Sequence, residues 1–233
     1  MKEEDDYHLE IRRVHFVFCI CCKRFCQSLY DEAISAVTRA KEMLSKFPNE
    51  TAYLTMLCYN FGVDCYQAKD FDHGVTWLRE SYTLGKDSSD ISHKTQARTL
   101  RLLANCYMEW ECDGWQENAL NAVSLSIKEH AHSAGVYLRL QLVLMTKQTA
   151  SCIKQAVDDL LHHQDCSIGL TLNAIQLFKR HQSPELLFDL RHVIIKKFDM
   201  HPDSGRLFVN LLDLFLDASE IHCAKTFAEE CIN

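Results

Sequence analysis

The chain of 233 residues is 47% hydrophobic, enough to bury about three quarters of the surface its unfolded form exposes. Seven Gly and three Pro are too few for the turns of an all-β protein or for the glycine-rich loops of most nucleotide-binding sheets. A net charge of −7 argues against a wide phosphate-contacting surface, because non-specific nucleic-acid affinity is mostly attraction to clustered Lys and Arg.

The acidic start Glu3-Glu4-Asp5-Asp6 is the wrong flank for a secretory signal, and the apolar run Val14 to Cys22 is too short to span roughly 30 Å of hydrocarbon. The pattern predicts a first helix from about Ile11 to Cys26 and a second from Tyr30 to Lys46, stopped before Phe47-Pro48 because the residue ahead of proline resists the helical conformation. Asn49-Glu50-Thr51 is a glycosylation sequon, but a chain with no export signal does not meet that chemistry.

Thr51–Ala68 and Phe71–Leu84 form the next pair, and this stretch is the most informative. Asn60-Phe61-Gly62, Cys65-Tyr66, Asp70-Phe71, Gly74, Leu78 and Ser81 have the large, small, aromatic and small offsets by which two antiparallel helices lock in a tetratricopeptide-type repeat. Gly62 and Gly74 are read as the positions of close helix approach. Tyr30, Ala33, Val37 and Ala40 echo the second half of the motif upstream; Leu103-Ala104, Tyr107, Trp115, Ala119, Val123 and Ser126 echo both halves downstream. The marker residues Ala33, Gly74 and Ala119 lie 41 and 45 residues apart, so the connections are longer than in the usual 34-residue repeat.

A loop at Gly85–Asp90 precedes a helix opening at Ser92 or His93. Helices then follow over Trp115–His130, Ser133–Lys147, Ala150–His162, Ile168–His181, Pro184–Phe198 with Ser183 as cap, Ser204–Leu216 and Ser219–Ile232. The expected fold is all-α, an α-α superhelix (solenoid) of tetratricopeptide-like helical hairpins. Residues 1–27 form an atypical Cys-rich segment with the first helix, and residues 28–233 a single repeat domain. Nothing near the C-terminus reads as a polar capping helix, so the chain is expected to be part of a longer array.

Twelve cysteines without an even framework read as small hydrophobes in a reducing compartment, cytosol or nucleus. Phosphate cradles, the zinc-protease helix and the nucleophile elbow are all missing, so no catalytic residue, cofactor or small-molecule substrate is expected. Cys19, Cys21, Cys22 and Cys26 with His15 are the best metal candidates, set against burial of an apolar helix face. His162, His163 and Cys166 read as a helix terminus, with the histidines complementing the dipole. The adjacent pairs Asp158-Asp159 and Glu229-Glu230 read as solvated charges.

Protein-binding candidates are Tyr59, Tyr66, Arg98, Arg101 and Asn105. The tyrosines have two readings, lining an inner groove or packing between helices. Arg98, Arg101 and Asn105 recur at helical spacing and would grip acidic side chains or a carboxylate, or else form an ordinary solvated face.

The runs Tyr59–Phe71, Gly74–Ser81 and Thr95–Tyr107 resemble the core of the meiotic Spo-twenty-two/Zip-four family, the match looking close from about Tyr30 to Leu140. The resemblance implies a non-enzymatic scaffold on meiotic chromosomes in the nucleus, promoting synapsis and crossover formation by gathering pro-crossover and chromosome-axis proteins, without direct nucleic-acid or membrane binding. Members of that family are several times longer, so this chain reads as a short form or fragment whose first 27 residues are unfamiliar. The alternative is a general cytosolic adaptor that captures peptide tails as co-chaperones do, with Arg98, Arg101 and Asn105 as its clamp; a metal-dependent protein using the N-terminal cysteines is a third.

Overall fold

The computed structural model describes residues 2–181, 187–188, 191–199 and 201–232, with side chains at residue 12 and over 14–231 of these. All regular structure among them is helical. They form two compact units, Met1–Ala122 and Val123–Asn233. No described helix is long and apolar enough to cross a membrane.

The first unit holds α1 (Lys2–Cys26), α2 (Tyr30–Leu44), a 3-10 turn (Pro48–Glu50), α3 (Thr51–Gln67), α4 (Phe71–Gly85) and α5 (His93–Trp110); α6 (Trp115–Glu129) begins in it and crosses its boundary. Helices pack as hairpins, α1 on α2 and α3 on α4, with α4 also against α5. Phe25 stacks on Phe61 with ring centroids 4.0 Å apart, and Trp77 meets Phe61 edge-on at 5.0 Å. Val14, Phe18, Ala33, Val37, Leu54 and Cys58 extend this core. The expectation for Gly62 holds sharply. A Cβ there would stand 2.5 Å from Leu78 Cγ, closer than real Cβ contacts come. At Gly74 the same atom would lie 3.3 Å from Cys106 Sγ and 3.6 Å from Cys65 Cβ, so that glycine admits α5 as well as α3.

The hairpin turns have a common construction. Ser28 and Lys69 sit at φ +58° and +61°, and the next residue donates its N–H to the carbonyl five back, Leu29 to Arg24 and Asp70 to Cys65, both at 2.9 Å. This left-handed stop satisfies carbonyls that the helix end would leave bare.

The second unit holds α7 (Ser133–Met145), α8 (Ala150–His162), α9 (Ile168–His181), α10 (Arg191–Phe198), α11 (Ser204–Asp217) and α12 (Ile221–Ile232). Here α7 packs on α8 and α9, and α11 on α9 and α12, around Leu140, Leu160, Ile175, Phe178, Leu211, Phe215 and Phe227. The left-handed stop recurs twice. Lys147 (φ +49°) precedes Gln148, which donates to Val143; Ser219 (φ +63°) precedes Glu220, which donates to Phe215. Hence α7 ends before Lys147 and α12 starts after Ser219, each about two residues inside the expected span. The expected Ser183–Pro184 opening lies outside the described residues.

The acidic pairs are not all free in solvent. Asp159 accepts from Arg139 at 2.8 Å, and Glu230 receives a two-pronged bond from Arg191, Nε at 2.8 Å and Nη2 at 2.7 Å. Those partners lie 20 and 39 residues away, which is why local spacing gave no sign of them. Lys197 caps the end of α8 by donating to the carbonyls of Leu161 and His163, while His162 turns back to Asp158.

Candidate functional site

The candidate residues lie on α3 and α5, which touch directly. Ser92 fixes the phase of α5: its hydroxyl accepts from the Thr95 N–H at 3.2 Å, starting the helix so that Gln96, Ala97, Leu100, Leu103, Ala104 and Tyr107 face inward. Arg98 is thereby left exposed, with Arg101 and Asn105 half-buried on the same stripe.

Three of the five candidates meet. The Arg98 guanidinium lies over the Tyr59 ring, 5.5 Å from its centroid. Burial, and then Arg98 beside it, holds the Arg101 guanidinium below its ordinary pKa, with Tyr59 acting the other way. Tyr59 is itself buried, so it packs between the helices and offers its face to the cation. Tyr66 stands two turns further along α3 and meets Phe71 edge-on at 5.6 Å. Its hydroxyl pKa is raised by burial first and by the nearby Glu109 carboxylate second. Sequence reasoning passed over Glu109, which stands eleven residues beyond Arg98, just over three full turns along α5.

The N-terminal cysteines do not converge. Cys21 is buried, its thiol donating to the Ala33 carbonyl at 3.5 Å, while Cys19 and Cys26 are exposed and Cys22 is half-buried. His15 turns to Glu50 instead, at 3.1 Å. Among the described residues no three His, Cys, Asp or Glu side chains are grouped to hold a metal.

Residues 25–230 match the model of a family described as meiosis protein SPO22/ZIP4 like. The chain belongs to this family. The match runs well beyond the span from Tyr30 to Leu140 that carried the resemblance and reaches residue 230. Two solved structures share the fold of this SPO22/ZIP4-like chain. BtubC (BKLC) from P. vanneervenii is 13% identical, with 88% of this chain and 89% of that one covered and a TM-score of 0.50. A tetratricopeptide repeat protein from Parabacteroides merdae ATCC 43184 is 15% identical, with 95% and 79% covered and a TM-score of 0.50. At such identities the likeness shows the fold alone, a helical-hairpin solenoid of the tetratricopeptide kind. Membership of the family supports a meiotic role.

Proposed function

We propose that this chain is a non-enzymatic scaffold that promotes meiotic crossover formation and chromosome synapsis by holding other pro-crossover and chromosome-axis proteins together in the nucleus. The observation that carries the reading is the family match over residues 25–230, on a fold made of stacked helical hairpins. Such hairpins present rows of side chains to partners rather than a water-excluding cleft. The row on α3 and α5, with Tyr59, Tyr66, Arg98, Arg101 and Asn105, is the candidate contact. Association with chromosomes would run through those partners, since a net charge of −7 gives little attraction to phosphate. Affinity purification of the tagged chain from meiotic tissue tests it. Recovery of chromosome-axis and crossover proteins is expected. Recovery of chaperone tails alone, or tight and salt-resistant duplex binding by the purified chain, would overturn it.

A further inference from the structure

The exposed stripe of α5 changes sign along its length. Arg98 stands at one end and Glu109 at the other, eleven residues apart, which puts them within roughly 20° of one line on the helix and about 16 Å along it. Arg101 and Asn105 fill the interval, half-buried. Across from the stripe, α3 supplies an aromatic at each end: Tyr59 beneath Arg98, and Tyr66 within the field of Glu109. A uniformly acidic segment laid along this stripe gains at the Arg98 end and is repelled at the Glu109 end. A uniformly basic segment has the opposite difficulty. Only a segment carrying both signs complements the whole length, and opposite charges at the two ends also fix which way it runs.

We propose that the α3–α5 strip binds a bipolar protein segment, with an acidic side chain at Arg98 and Arg101 and a basic one at Glu109. The roughly 16 Å between the ends corresponds to about five residues of extended chain or about eleven of helix. This deepens the scaffold reading by specifying the partner's chemistry, and rests on it.

The test uses the full chain and labelled twelve-residue peptides followed by fluorescence polarisation. One peptide has an acidic pair and a basic pair about five residues apart; the others are all-acidic, all-basic and neutral. The parent is expected to bind the bipolar peptide about tenfold more tightly than the all-acidic one. Glu109→Arg should invert that order, and Arg98→Glu with Arg101→Glu should abolish binding of the all-acidic peptide to the Glu109→Arg background. Circular dichroism of each variant establishes that the helices persist. Equal binding of all peptides by the parent, an unchanged order in Glu109→Arg, or concentration-dependent self-association that the same substitutions remove would each overturn the proposal, the last by showing a second copy as occupant. Both variants are also taken through the meiotic purification. Undiminished capture of meiotic proteins by both overturns the proposal and leaves the scaffold reading standing; capture of none by the parent counts against the scaffold reading.

Discussion

Gly62 and Leu78 lie so close across the α3–α4 hairpin that a methyl group on the glycine would stand 2.5 Å from Leu78 Cγ and 2.7 Å from its Cδ2. Two opposing effects meet in Gly62→Ala. Helix propensity favours alanine by about 1 kcal/mol, while overpacking a filled interface costs about 1 to 3 kcal/mol. Leu78 is fully buried and has nowhere to go, so the substitution is expected to destabilise, read as a lower urea midpoint. Combined with Leu78→Ala it should cost clearly less than the two single changes added, because the methyl then fills space the leucine vacated. Additive losses would show that the two residues do not meet as described.

Gly74→Leu should cost about 1 to 3 kcal/mol by overpacking, since the new side chain would drive toward Cys106 and Cys65 at once. A variant with the parent's urea midpoint would mean that α4 has room to shift.

The four left-handed hairpin stops make a prediction of opposite sign. Lys69 and Lys147 hold φ of +61° and +49°, a conformation that costs a residue with a Cβ about 1 to 2 kcal/mol. Replacing either by glycine removes that strain and loosens the unfolded chain, for a net gain of about 0.5 to 1 kcal/mol. Ala68, at φ −75°, is the control: glycine there should only destabilise. Thermal melting separates the two cases.

Those stops also explain what the sequence showed and what it hid. Helix positions followed from apolar spacing, and the first hairpins were legible because Gly62 and Gly74 mark close approach by their size. In the second unit the repeat is carried by backbone conformation at Lys147 and Ser219, residues that give no hint of positive φ. Arg98 and Arg101 were visible as a pair because helical spacing alone puts them on one stripe, whereas Tyr59 joins them only through the packing of α3 on α5. Glu109 was missed because its meaning comes from Tyr66, on another helix 43 residues earlier.

Arg191 binds Glu230 through two nitrogens and lies over Phe188, 4.0 Å from the ring centroid. A lysine keeps the charge but cannot reproduce the planar fork or the stacking. Arg191→Lys is therefore expected to lose about 1 to 2 kcal/mol, in the range of hydrogen bonds to charged groups. Glu230→Gln should lose a similar amount, and the double variant little more than either single one. Independent losses would mean the pair does not act as a unit.

The buried thiols set the response to alkaline pH. Burial pushes Cys65 and Cys106 from an ordinary value of 9.0 up to about 12, and raises Cys58 well above it. A raised acid in the folded state means that the unfolded chain releases its proton first. The unfolded state thus binds fewer protons above pH 9, and stability, fully present below that point, falls as pH rises toward 12. Measured by urea midpoint between pH 8 and 10, the decline should be shallower in Cys106→Ala than in the parent, whatever the variant's starting stability. Iodoacetamide, which reacts with thiolate, should reach the exposed Cys19, Cys26 and Cys152 in the native chain and leave Cys58 and Cys106 unlabelled until urea opens the helices. Native labelling of Cys58 at the rate of Cys152 would show that the core between α1 and α4 opens on the timescale of the reaction.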